Sequence, residues 1–120
     1  MCGIAGVYNP NKTPSQARYI MNNMLNAIAH RGPDNFGIWQ KDALTLGHRR
    51  LSIHDLTATG HQPMHSQDNR FSIVFNGEIY NFEELRAELN ITKWQGCSDT
   101  EVMLTAISKW GFNKALERFN

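Results

Sequence analysis

Seven residues near the start, Cys2-Gly3-Ile4-Ala5-Gly6-Val7-Tyr8, constrain this chain more than any others. They are small and apolar and read as a buried strand, with Gly3 and Gly6 permitting close approach of a neighbouring backbone. The strand begins with a thiol one residue behind the initiator methionine. With Met1 removed, Cys2 would carry both a thiol and a free α-amine. Such an amine titrates close enough to neutrality to act as a base for its own side chain, as in N-terminal nucleophiles. The alternative is that Cys2 is an ordinary small hydrophobe, the commonest role of a buried cysteine.

The chain then alternates between helical and extended patterns. Asn9-Pro10-Asn11 is a turn. Thr13-Pro14-Ser15-Gln16 predicts a capping box with proline at the first helical position, followed by Ala17, Ile20, Met21, Met24, Leu25 and Ile28 on one face. His30-Arg31-Gly32-Pro33-Asp34-Asn35 predicts a stiff loop. Two strands, 36–40 and 43–50, are expected to join at Lys41-Asp42 as a hairpin. Residues 54–70 read as a long irregular loop, and such loops are often functional. Residues 70–75 are β-branched and aromatic and predict a strong strand that stops at Asn76-Gly77. Asn81 is expected to cap a helix carrying Phe82, Leu85 and Leu89, and 91–95 to form a short extended piece. Ser98-Asp99-Thr100-Glu101 predicts a further capping box, leading a helix with Val102, Met103, Ala106, Ile107 and Trp110 inward and Gly111 at its end. A last helical turn or two is expected over 113–119. The final helix has no obvious apolar partner left, so the chain reads as the first part of a larger domain.

Charge and cysteine content exclude several classes. Twelve Lys and Arg against eleven Asp and Glu give a net charge of +1, without the basic surplus of a nucleic-acid binder. No apolar stretch is long enough to span a bilayer, and no secretory leader is expected. Two cysteines, Cys2 and Cys97, without such a leader suit the reducing cytoplasm. His61 and His65 lack partners at metal-ligand spacing, and no metal site is expected.

An N-terminal thiol attacking an amide needs oxyanion donors and a grip on its substrate. Asn76 and the Gly77 N–H could supply two such donors, or Asn-Gly could be a hairpin turn. One arginine of the Arg49-Arg50 pair could hold a carboxylate bidentately, or both could be solvated. Asp99 could hold a substrate ammonium, or serve only as charge at a helix N-terminus. Together the first alternatives describe a free amino acid with a side-chain amide.

Six motifs stand in order: Cys2-Gly3-Ile4-Ala5-Gly6, His30-Arg31-Gly32-Pro33-Asp34, Gly47-His48-Arg49-Arg50-Leu51-Ser52-Ile53, Gly60-His61-Gln62-Pro63-Met64, Asn76-Gly77-Glu78-Ile79-Tyr80-Asn81 and Ser98-Asp99-Thr100-Glu101. This series resembles the N-terminal glutaminase domain of glutamine-hydrolysing asparagine synthetases, a class II glutamine amidotransferase domain. The resemblance covers residues 1–120 and implies an α+β fold, the N-terminal-nucleophile hydrolase αββα four-layer sandwich, incomplete at the C-terminus. It implies that Cys2 attacks glutamine and forms a thioester, with Asn76 and Gly77 as the oxyanion hole. Arg50 would hold the substrate carboxylate with help from Leu51 and Ile53. Asp99 would hold the ammonium, with Glu78 in the same pocket. No cofactor is implied for this domain. ATP and Mg²⁺ would belong to a separate synthetase domain, absent from these residues, that receives the ammonia and amidates aspartate. The expected partners are glutamine and that synthetase domain, with no nucleic acid or membrane and with a homodimer left open. The other readings are an amidotransferase serving a different acceptor, a truncated non-catalytic piece that binds glutamine or a partner, and a redox pair made of Cys2 and Cys97. The resemblance assigns no chemical role to the His30–Asp34 loop, which is expected to be a rigid loop near the pocket or a domain interface.

Overall fold

A computed structural model describes residues 1–52 and 58–120. Ile53 and much of the first part of the expected long loop lie outside the described residues. The fold is a mixture of helix and sheet, and the chain divides into two units. The first comprises residues 1–53, 61–63 and 74–77; the second comprises 54–60, 64–73 and 78–120.

In the first unit three antiparallel strands, β1 (Gly3–Tyr8), β2 (Asn35–Lys41) and β3 (Leu44–Arg50), form a sheet in the order β1-β3-β2. Asp42 makes the tight β2–β3 turn with φ of 51°, a left-handed conformation that aspartate tolerates. Helix α1 (Pro14–Ala27) begins at the expected capping box. Thr13 Oγ1 accepts from Gln16 N at 3.3 Å, and Thr13 N donates to Gln16 Oε1 at 3.0 Å. Ala17, Met21 and Leu25 are buried at intervals of four, a narrower stripe than predicted; Met24 is exposed. The stripe lies directly on Gly47, where a Cβ would come within 2.4 Å of Met21 Sδ.

The register divides the sheet residues between two faces. Gly3, Ala5 and Val7 pair with Arg49, Gly47 and Thr45 on the helix side. Ile4, Gly6 and Tyr8 pair with His48, Leu46 and Leu44 on the other side. The expectation of a fully buried first strand is therefore corrected. β1 is an edge strand whose outward residues Ile4 and Tyr8 are 50% and 75% exposed. Its helix-facing residues satisfy the apolar pattern alone, because the small residues on both faces conceal the period of two.

The second unit contains a short hairpin, β4 (Met64–His65) with β5 (Ser72–Ile73), and helices α2 (Phe82–Leu89), α3 (Asp99–Trp110) and α4 (Phe112–Leu116). Its core is Ile79, Leu85, Leu89, Val102, Met103, Leu104, Ala106, Ile107 and Ala115. The predicted strand over 70–75 shrinks to Ser72–Ile73, and part of the presumed loop, Met64–His65, is its partner. The expected extended piece over 91–95 is not a strand. Asn81 does cap α2 by position, but its side chain is engaged elsewhere: Nδ2 donates to Arg118 O at 2.8 Å and Oδ1 accepts from Asn120 N at 3.0 Å. The α3 capping box is half formed. Ser98 Oγ accepts from Glu101 N at 3.2 Å, while the Glu101 carboxylate accepts from Gln95 N and Gly96 N at 2.8 and 2.9 Å. Gly111 ends α3 with φ of 86°.

Asp68, in the β4–β5 turn, accepts a 2.6 Å hydrogen bond from Ser108 Oγ of α3. The Ser108 hydroxyl, then Ser66 and the Arg70 N–H, hold its pKa down to about 2. A carboxylate depressed below its unfolded value stabilises the fold above that value and loses the contribution as pH falls through the folded one. The hairpin-to-α3 tie is thus at full strength above about pH 4 and lost as pH approaches 2. Ser108→Ala is expected to move the Asp68 titration, followed by NMR, back toward the ordinary carboxylate range and to weaken the acid sensitivity of the hairpin.

Candidate active site

The thiol sits where the end of β3 meets the start of β1. Extending the β1–β3 register one step beyond Gly3–Arg49 sets Cys2 opposite Arg50, the last residue of β3. Leu51 N donates to Cys2 Sγ at 3.3 Å, and the thiol points back to Leu51 O at 3.7 Å. Two contacts from one residue fix the sulfur's direction. Arg31 Nε donates to the Cys2 carbonyl at 3.1 Å. Cys2 is half-buried and its thiol free; Cys97 is free and exposed.

The strand alternation separates the two arginines that the sequence left equivalent. Arg49 turns to the helix side: Nε donates to Leu25 O at 2.9 Å, Nη2 to Asn26 Oδ1 at 3.0 Å, and the guanidinium stacks over Phe36. There a cation complements the C-terminal end of α1. Arg50 is buried and has the same parity as His48 and Cys2, so it belongs to the other face.

The His30–Asp34 loop, expected only as a rigid loop near the pocket or a domain interface, braces this corner. Besides the Arg31 bond, Asp34 N donates to Arg50 O at 3.1 Å and Asp34 Oδ2 accepts from Ser52 N at 2.7 Å. Gly32 lies so close to β3 that a Cβ there would stand 2.4 Å from the Arg49 carbonyl carbon. The loop therefore holds Cys2 from one side and the backbone around Leu51 from the other.

Asn76 and Gly77 belong to the same unit as Cys2, Arg50 and Leu51. They follow Phe75, whose carbonyl is 3.2 Å from His48 Nε2 and whose N–H donates to Gln62 Oε1 at 2.6 Å. Because His48 shares its face with Cys2 and Arg50, the Phe75–Gly77 segment runs over the face that carries the thiol. Both Asn76 and Gly77 are exposed. No sequence pattern marked His48 or Gln62 as supports; only their presence within ordered motifs hinted at them. Burial, above all, lowers the His48 pKa from its ordinary value, with smaller effects of the same sign from His61 and Arg50 and an opposing one from the Phe75 carbonyl. The ring is neutral near pH 7.

The whole chain, residues 1–120, matches the family model described as the glutamine amidotransferase domain. The chain belongs to that family. Among its relatives are the glutamine-hydrolyzing asparagine synthetase 3 of Bacillus subtilis, 36% identical over 92% of this chain and 18% of the relative, and asparagine synthetase 1 of the same organism, 42% identical over 87% and 17%. An amidase of Penicillium rubens is 36% identical over 94% of this chain and 18% of the relative. The glutamine amidotransferase domain described here thus spans less than a fifth of the length of these relatives.

Asp99 and Glu78, which the sequence reading also assigned to substrate binding, belong to the second unit. Asp99 opens α3 and accepts from Ile79 N at 2.9 Å through Oδ2, while Thr100 Oγ1 donates to Oδ1 at 3.3 Å. Asp99 therefore fixes the residue next to Glu78, bringing the two acidic residues into one neighbourhood. Ile53 lies outside the described residues. Among the described residues no group of three or more His, Cys, Asp or Glu is placed to hold a metal ion, and no helix is long and apolar enough to cross a membrane.

Proposed function

We propose that this domain hydrolyses glutamine with Cys2 as nucleophile, after removal of Met1, and supplies ammonia for amidation of a second substrate. What carries the reading is the Cys2 thiol, held by Leu51 opposite Arg50 in a chain that matches the amidotransferase family throughout. The sulfur attacks the side-chain amide carbon of glutamine and a carbon–sulfur bond forms. The thiol proton passes through the Cys2 α-amine to the departing nitrogen as the carbon–nitrogen bond breaks and ammonia leaves. Water then cleaves the γ-glutamyl thioester, releasing glutamate and restoring the thiol. Asn76 and the Gly77 N–H take the oxyanion, Arg50 the substrate carboxylate with Leu51 and Ile53, and Asp99 with Glu78 the ammonium.

In this reading the synthetases among the relatives point to aspartate as acceptor. ATP and Mg²⁺ serve an acceptor-activating domain elsewhere in the protein, the full domain adopts the αββα sandwich, and the protein works in the cytoplasm. The amidase relative favours a second version in which the same glutaminase chemistry serves another acceptor. Incubating the intact protein with L-glutamine is expected to release glutamate and ammonia in equal amounts, and its N-terminal peptide is expected to begin at Cys2 by mass. Full turnover by protein that retains Met1 would exclude the α-amine from the proton path.

A further inference from the structure

We propose that His48 is a positioning residue for the oxyanion-binding pair: its Nε2–H, acting with Gln62, fixes the Phe75 peptide and so sets Asn76 and Gly77 before substrate arrives. The inference rests on the glutamine-hydrolysing reading above. Phe75 is the residue on which the pair is mounted, and it is held three times. A carbonyl can only accept, so His48 Nε2 carries the proton in its 3.2 Å bond to Phe75 O. Gln62 Oε1 takes the N–H of the same residue at 2.6 Å. The Phe75 ring lies against Gly77, where a Cβ would meet Cζ at 2.6 Å. The backbone after Ile73 forms no ladder among the described residues, and these side chains take the place of a neighbouring strand.

His48 is itself well placed for this. It sits on β3 opposite Gly37, and a Cβ at Gly37 would come within 2.2 Å of Gln62 O. The Gln62 backbone therefore rests on Gly37, beside the imidazole. His48 is 1% exposed, and its Nδ1 is buried without a hydrogen-bond partner among the described residues. A bare acceptor in the interior is a cost that an aliphatic side chain would avoid. Packing alone does not explain a histidine here; its single N–H, aimed at Phe75, does.

The test compares variants of the intact protein by kcat and KM for glutamine hydrolysis, glutamate binding and urea unfolding. His48→Leu removes the donor. It is expected to lower kcat by about tenfold to a hundredfold, the scale of a displacement near 1 Å in a catalytic group. Glutamate affinity is expected to change less than about threefold, since product binding uses the carboxylate and ammonium grips and forms no oxyanion. His48→Gln, whose amide nitrogen reaches about as far as Nε2, is expected to recover most of the rate. His48→Asn, which ends one atom short, is not. A folded His48→Leu protein with parental kcat, a change confined to KM, or equal kcat in the Gln and Asn variants overturns the proposal. The last comparison stands even if His48→Leu does not fold. A parent protein that hydrolyses no glutamine overturns the functional reading; an active parent insensitive to His48 overturns this inference alone.

Discussion

Cys2→Ala is expected to abolish release of ammonia from glutamine while leaving glutamine and glutamate bound. In the proposed function Cys2 is the group that forms the thioester, and losses on the order of 10⁴-fold or more accompany removal of such a nucleophile. Arg50 and Asp99, which the functional reading assigns to the substrate's carboxylate and ammonium, are untouched. Binding by calorimetry should therefore stay within about threefold while turnover vanishes, the pattern of an interaction used only on the way to the transition state. Structural side effects should be small. Among the described residues the sulfur's hydrogen-bond partners are one N–H and one carbonyl of Leu51, and the Arg31 bond goes to the Cys2 backbone, which alanine keeps. A Cys2→Ala protein with substantial glutaminase activity would show that another residue starts the reaction.

The second large effect is expected at Gly32, far from any chemistry of its own. A Cβ there would lie 2.4 Å from Arg49 C, 2.5 Å from Arg49 O and 2.6 Å from Arg50 N. These are backbone atoms of the central strand, so no side-chain rotation relieves the contact, and loop or strand must shift. Overpacking of this kind costs about 1–3 kcal/mol. Gly32→Ala should lower the urea midpoint accordingly. It should also reduce turnover strongly, because the loop it displaces carries Arg31 and Asp34, which hold Cys2 and Ser52. Gly6→Ala is the control: its Cβ would find Leu46 at 3.7 Å, an ordinary contact, and stability should be nearly unchanged. Equal behaviour of the two variants would remove the brace from the account.

Much of the local structure was legible in the chain. The Thr13 box, the β2–β3 hairpin and the Gly111 stop follow from short-range chemistry that needs no tertiary information. What misled was non-local. The run 70–75 has the composition of a strong strand, but a ladder needs a partner, and beyond Ile73 the backbone bonds go to His48 and Gln62. Ser98-Asp99-Thr100-Glu101 has the letters of a full capping box, yet a nearer pair of orphan N–H groups at Gln95 and Gly96 captures the glutamate. At the site, period-two alternation could have separated Arg49 from Arg50, since residues of one strand alternate between faces. The register that brings Cys2, 49 residues from Leu51 in sequence, to the end of β3 was not legible, nor was the role of Arg31 or Asp34. Those residues act through backbone atoms of distant segments, and backbone atoms leave no trace in a sequence.

The bonds on Cys2 also bear on how such a terminus could be finished. They run through its sulfur and its carbonyl, on the downstream side of the Met1–Cys2 peptide bond. Met1 lies outside, largely exposed to solvent. An aminopeptidase can therefore reach the bond it must cut without disturbing anything that holds the residue behind it. Under the proposed function, unmasking the amine is the removal of a cover from a part already seated, and the Cys2 thiol keeps its contacts to Leu51 through the cut.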